Sequence, residues 1–167
     1  MSHLDKIKEA IITCWGKHKV PYYFDEENYN IIHLGVFSGY EEYHYKIDMS
    51  VSIAIHDDCY TVISRVLSTF DEKYKNEVAK LLSTINIFCP YGKFVLDYSC
   101  ENTVSYILSM NCLDYIPIES AIEDSIVSGL ACWSIILGDV IIDVMSGKKT
   151  AEEGYEDCIK ILGSEQI

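Results

Sequence analysis

Residues 44–56 read HYKIDMSVSIAIH, and this stretch decides the fold of the chain. The odd positions hold Tyr, Ile, Met, Val, Ile and Ile, whereas the even positions hold mostly polar or small residues. Successive side chains of a strand point to opposite faces, so an alternation with a period of two predicts a strand that buries one face. We therefore expect a sheet with one face on a core and one polar face.

Two apolar runs flank that stretch and predict a three-stranded meander over residues 29–67. The turns are expected at residues 38–39 and at residues 57–58, which read Ser-Gly and Asp-Asp. A second pair of alternating runs, residues 93–98 and 103–110, predicts a hairpin. Strands that come in such groups, rather than alternating with helices, indicate an α+β fold with a single antiparallel sheet.

Apolar residues at helical spacing predict four helices, near residues 2–17, 69–85, 117–145 and 150–162. Ser2 is a candidate N-cap, Thr150 and Glu153 have the spacing of a capping box, and Gly147 is expected to close the third helix. The predicted order is α-β-β-β-α-β-β-α-α, with the helices mainly on one face of the sheet. With 167 residues, the chain is expected to form one domain over residues 1–167.

The third predicted helix contains a mostly apolar stretch at residues 126–145 that resembles a membrane span in length. Asp139 and Asp143 argue against insertion, because a carboxylate at the bilayer centre costs about 2.5–3.5 kcal/mol. The two residues are four apart, so we expect both on the water-facing stripe of an amphipathic helix.

The charge balance argues against nucleic acid as a partner. The chain has 13 Lys and Arg against 26 Asp and Glu, a formal charge of −13, and Arg65 is its only arginine. Phosphate contacts need clustered cations, so this composition predicts neither nucleic-acid binding nor attraction to an anionic membrane surface.

The seven cysteines are scattered, and no two form a C-x-x-C pair. The first residues carry charges throughout and do not resemble a secretory leader. We therefore expect reduced thiols, no disulfide, no bound metal, and a cytoplasmic location.

Residues 81–110, LLSTINIFCPYGKFVLDYSCENTVSYILSM, and residues 144–153, VMSGKKTAEE, carry a family resemblance. A helix end with asparagine, a G-K-F strand, a V-x-Y strand and a long helix closing in a glycine-lysine turn are similar to the pattern of the YbjN family of bacterial sensory transduction regulators. The matching positions are Asn86, Gly92, Phe94, Asp97, Val104, Tyr106 and Gly147. The resemblance implies a type III secretion chaperone-like fold and a non-enzymatic regulator or chaperone-like module without catalytic residues.

Most of the matching positions also have a structural interpretation. Asn86 is expected to satisfy carbonyls at a helix end, and Gly92 to permit a tight turn into the strand. Phe94 and Tyr106 are expected to form a cross-strand aromatic pair. Cys89 and Pro90 depart from the family pattern.

Several groups of reactive residues resemble functional sites, and each has a simpler interpretation. Residues 56–59, His-Asp-Asp-Cys, are expected to form a turn rather than a zinc site, because neighbouring strand residues point to opposite faces. The carboxylate pairs Glu119/Glu123 and Asp139/Asp143 are expected on solvated helix faces. Cys14 and Cys132 are expected to be buried core thiols. His33 and His44 are expected to be exposed histidines on strands rather than metal ligands. No catalytic, cofactor-binding or metal-binding residue is predicted.

Thirteen tyrosines and the acidic charge favour a protein-binding role. The leading hypothesis is a non-enzymatic regulatory or chaperone-like module that holds a polypeptide on its sheet or on an exposed edge. The alternative is a small-ligand or enzymatic module with a pocket between sheet and helices. A two-fold homodimer is also expected, through a dimer or partner surface on the second hairpin made of Phe94, Tyr98, Val104 and Tyr106.

Overall fold

Six antiparallel strands form one sheet in the computed structural model of the chain, which describes residues 1–19, 21–38, 47–89, 91–97 and 102–164. The sheet order is β1-β2-β3-β4-β6-β5. The strands are β1 Tyr23–Phe24, β2 Ile31–Ser38, β3 Asp48–Ile55, β4 Cys59–Val66, β5 Lys93–Asp97 and β6 Thr103–Asn111. The α+β class with a single antiparallel sheet is confirmed.

Within the described ranges, five α-helices accompany the sheet and follow the predicted order. They are α1 His3–Lys17, α2 Lys75–Ile85, α3 Glu119–Ala131, α4 Gly138–Met145 and α5 Ala151–Ser164. Short 3₁₀ turns at Glu72–Tyr74 and Asn86–Phe88 flank α2, and a π-helical turn at Cys132–Leu137 joins α3 to α4. The long third helix of the prediction is therefore α3, the π turn and α4 together.

The helices pack on one face of the sheet, as the alternation in β3 predicts. Met49, Val51, Ile53 and Ile55 are buried, whereas the residues between them are half-buried. One core cluster joins α1 and α3 to the β2–β4 side, and a second joins α2, α4 and α5 to the β4–β6 side. The opposite face of the sheet carries no helix among the described residues.

The strand β1 was missed by the sequence analysis, which predicted five strands. Tyr23–Phe24 is only two residues long and pairs with β2, so it has no periodicity of its own. A β-bulge between His33 and Gly35 also shifts the register of β2 against β3. Such features depend on the neighbouring strand rather than on local composition.

The predicted helix ends are confirmed by their hydrogen bonds. Ser2 and Asp5 form a reciprocal capping box at α1. Thr150 and Glu153 form another at α5, where each backbone N–H donates to the other residue's side chain. Gly147, with φ 72°, ends α4 in the left-handed conformation that glycine adopts without strain.

The prediction for Asp143 is wrong, because this residue is buried rather than solvated. Its carboxylate pairs with the Lys149 ammonium at 2.8 Å, and Lys149 also pairs with Asp157 at 3.0 Å. Gly147 turns the chain back after α4, which brings Lys149 over the Asp143 side chain. Among the residues that the structure describes, no helix combines the length and apolar composition needed to cross a bilayer.

Candidate functional site

Three of the four residues expected on the second hairpin's surface lie in the core. Phe94, Val104 and Tyr106 are each at most 1% exposed. They occupy the helix-covered face, where the Phe94 ring lies 5.0 Å from that of Tyr106 and 4.9 Å from that of Trp133. The aromatic pair is confirmed, but these three side chains are not available to a partner. Tyr98 lies outside the described residues.

The outer edge of β5 is partly closed by a side chain. The Asn86 amide donates to the Phe94 carbonyl at 2.9 Å and accepts from the Phe94 N–H at 2.8 Å. Asn86 was expected to hydrogen-bond the carbonyls at a helix end. Its side chain instead makes the two backbone hydrogen bonds that a neighbouring strand would make with Phe94. Because an unpaired edge attracts other chains, this pair of bonds blocks strand addition at that point of β5.

The strand β6 extends beyond β5 and leaves part of its own edge open. Pairing with β5 runs from Thr103 to Ile107, whereas pairing with β4 continues to Asn111. Since the Phe94 backbone faces outward to Asn86, the alternation of antiparallel bonds turns the Ser109 and Asn111 backbone groups towards the open side. Among the described residues, no strand pairs with residues 108–111 on that side.

An apolar groove of about 520 Å³ runs along this open edge, between β6 and α3. We call it the β6 groove, and its lining residues are Tyr91, Leu108, Met110, Ala121, Asp124, Ser125, Val127, Ser128 and Ala131. Tyr91 is 78% and Val127 58% exposed, so large apolar groups face solvent here. Small residues of α3 leave the room that a larger side chain would fill.

The charge at the β6 groove is negative. Asp124 is an exposed lining residue, and none of the described residues that line the groove is a lysine or arginine. The chain as a whole carries a formal charge of −13. This field favours a cationic segment over an acidic one.

The helix-free face of the sheet holds the only arginine. The Arg65 guanidinium donates to Asp97 at 2.7 and 2.8 Å, and the Ser105 hydroxyl donates to the same carboxylate oxygen at 2.6 Å. These residues come from β4, β5 and β6. The arrangement ties three strands together, and Arg65 is held by a carboxylate rather than presented to a polyanion.

A pair of thiols lies next to Tyr106 at the other side of the sheet. The hydrogen-bonding contact with the Cys89 thiol lowers the pKa of Cys132, and the Tyr106 hydroxyl acts in the same direction against burial. The bond to Cys132 and burial raise the pKa of Cys89. Gly92 makes room for the phenol, since a Cβ there would lie 2.5 Å from the Tyr106 ring. Cys132 is thus a half-buried thiol with two donors rather than an inert core group.

A second cluster lies where α1 meets α3. The Sγ of Cys14, a ring nitrogen of His18 and a carboxylate oxygen of Glu123 lie within 4.8 Å of one another. Burial, followed by the charges of Glu123 and Glu119, raises the pKa of Cys14. Glu119 pairs with Lys17 and Glu123 with His18, and both carboxylates remain on a solvated face of α3 as predicted, with side chains 46% and 38% exposed.

The remaining candidates behave as structural groups. His56 to Cys59 form the predicted turn, in which the His56 N–H donates to the Cys59 carbonyl at 2.8 Å. His33 bonds to Ser52 at 2.8 Å and to Asp25 at 3.2 Å, and the Tyr23 ring stacks on it. His44 lies outside the described residues.

Two of these features escaped the sequence analysis for different reasons. The predicted run 103–110 is longer than its hairpin partner, 93–98. This difference in length indicates that part of β6 extends beyond β5 and has an open edge. By contrast, Cys14 and Glu123 are more than a hundred positions apart, and only the packing of α1 on α3 brings them together.

A comparison of the chain with protein-family models, curated proteins and solved structures found no match.

Proposed function

We propose that the protein is a non-enzymatic binding module that holds an extended, basic polypeptide segment in the β6 groove. The observation that carries the proposal is the open edge of β6 beside an apolar groove. A peptide that adds as a strand gains main-chain hydrogen bonds from the edge and side-chain contacts from the groove. The occupant is a partner of positive charge, because the groove and the chain are acidic.

The open edge of β6 has the geometry to pair with a short added strand. Ser109 and Asn111 supply backbone donors and acceptors, and a strand lying there points alternate side chains towards Met110 and Val127. The closed edge at Phe94 directs an added strand to β6 rather than to β5. A regulatory or chaperone-like role, as the resemblance to the YbjN family implies, accords with such a groove.

The test is peptide binding measured by fluorescence anisotropy. The probes are labelled peptides of about ten residues that alternate valine with lysine or valine with glutamate. We expect the lysine peptide to bind and the glutamate peptide to fail, with affinity falling as salt is added. A peptide carrying proline at every second position has too few N–H groups for strand addition and should also fail.

Matched variants locate the binding site. Val127→Lys places a cation in the groove and should weaken the lysine peptide at least about tenfold, since like charges across an interface are strongly disfavoured. Ile159→Lys makes the same change at a similarly exposed position of α5, outside the groove, and should leave affinity within about twofold. Equal loss in both variants, or no binding of any peptide, would refute the proposal.

A further inference from the structure

The contact between α1 and α3 brings together three side chains of the kind that bind transition metals. Cys14 and His18 are four residues apart, so both project from one side of the end of α1. Glu123 comes from the facing helix α3, and its carboxylate oxygen lies 2.9 Å from Nε2 of His18. The three ligand atoms all lie within 4.8 Å of one another.

This donor set suits zinc. A thiolate, an imidazole and a carboxylate are the three side-chain types that bind Zn²⁺, and the thiol disfavours Mg²⁺ and Ca²⁺. Rotation of exposed side chains is enough to bring the ligands onto one ion, since the side chains of His18 and Glu123 are 44% and 38% exposed. Cys14, at 2% exposed, provides the fixed inner ligand.

We propose that Cys14, His18 and Glu123 form a site for Zn²⁺ with one open coordination position. The ion would replace the thiol proton of Cys14, which passes to solvent, and the hydrogen bond between His18 and Glu123. Three protein ligands leave the fourth tetrahedral position to water or to a donor from outside the chain. Glu119 does not fill it, because its carboxylate pairs with Lys17.

A bound ion would link α1 to the helix that forms one wall of the β6 groove. Glu123 and the groove residue Asp124 are neighbours on α3, and their side chains face different sides of that helix. The site rests on the three ligand atoms and does not depend on the groove. Its test is therefore separate from the peptide experiment.

The test uses Co²⁺ as a spectroscopic probe for Zn²⁺ on the full chain, with a phosphine rather than a thiol as reductant. We expect a thiolate-to-cobalt charge-transfer band in the near ultraviolet, visible bands of a four-coordinate ion, and loss of both when Zn²⁺ is added. Trp15 gives a second signal, because its ring lies 5.5 Å from that of His18 and bound Co²⁺ should quench its emission.

Substitutions assign the ligands. Cys14→Ser should remove the charge-transfer band, and His18→Gln and Glu123→Gln should each weaken Co²⁺ binding more than about tenfold. His18→Gln changes an exposed residue and leaves the core intact, so it remains informative even where Cys14→Ser disturbs folding. Cys59→Ser removes a half-buried thiol beside two aspartates and should leave the spectrum unchanged.

Three outcomes would overturn the site. They are the absence of a charge-transfer band at millimolar Co²⁺, unchanged Co²⁺ affinity in His18→Gln, and loss of the band in Cys59→Ser. The first outcome would leave the His18–Glu123 contact as an ordinary surface ion pair.

Discussion

The thiol of Cys132 has an environment unlike that of the other described cysteines. Its polar neighbours, the Cys89 thiol and the Tyr106 hydroxyl, both stabilise the thiolate. Around Cys59, burial and then the Asp58 charge raise the thiol pKa instead. Both cysteines are half-buried, and their thiol pKa values are shifted in opposite directions.

We predict that Cys132 reacts with iodoacetamide at lower pH than Cys59. The pKa of Cys132 is lowered to about 7, so its thiolate forms as the pH rises through this value. Mass spectrometry of the alkylated peptides, from about pH 6 to 9, measures both curves in one sample. Tyr106→Phe removes one donor to the thiolate and should move the Cys132 curve to higher pH without moving that of Cys59. A Cys132 curve at or above that of Cys59 would contradict the assignment.

The helix that runs from α3 into α4 changes its hydrogen-bonding pattern at one place. The π turn Cys132–Leu137 lies in its middle, where the Trp133 indole donates to the Ser64 carbonyl at 2.9 Å. A π turn takes one residue more than an α-helical turn, and here it sets the Trp133 carbonyl directly beside Gly138. A Cβ on Gly138 would overlap the Trp133 carbonyl oxygen and the Ile47 side chain.

We predict that Gly138→Ala lowers the free energy of unfolding by about 2 kcal/mol or more, because backbone atoms cannot move aside cheaply. Gly16→Ala is the matched control, since a Cβ on Gly16 meets nothing within 4 Å. In helix α1 this control should raise stability by up to about 1 kcal/mol, because alanine favours the helix over glycine. Urea denaturation followed by circular dichroism compares the two. Equal stability of both variants would show that the π turn accommodates a side chain.

The elements that could be predicted from sequence are those whose signal is local. The alternation in residues 47–55 follows from strand geometry, and the capping boxes at Ser2 and Thr150 follow from helix-end hydrogen bonds. Non-local features were missed or misplaced. The burial of Tyr106 depends on which hairpin face meets the helices. The burial of Asp143 depends on the path of the chain after Gly147.

At the scale of the whole molecule, the net charge has opposite effects on the binding of a basic partner and on self-association. A formal charge of −13 attracts a basic segment, and salt screens that attraction. The same charge makes two copies repel, and salt screens that repulsion too. Partner binding and self-association should therefore respond to salt in opposite directions.

The two-fold homodimer expected from the sequence stays a prediction, but its surface has to change. Tyr106 is buried, so a charge placed there would unfold the protein rather than test an interface. On the helix-free face, Ile63 of β4 lies directly opposite Ile107 of β6, and both are half-buried. These neighbours form an apolar part of the helix-free face that a second copy can cover.

We predict a dimer at micromolar concentration that tightens as salt is added and is lost in Ile107→Asp. The substitution places a charge in an apolar contact between two acidic subunits, so desolvation and repulsion act together. Val127→Asp makes the same change in charge within the β6 groove and should leave the dimer intact. Light scattering at low and high salt measures the mass of all three proteins. A monomer at both salt concentrations would contradict the dimer, whereas a dimer that survives Ile107→Asp and dissociates in Val127→Asp would move the interface from the helix-free face to the groove.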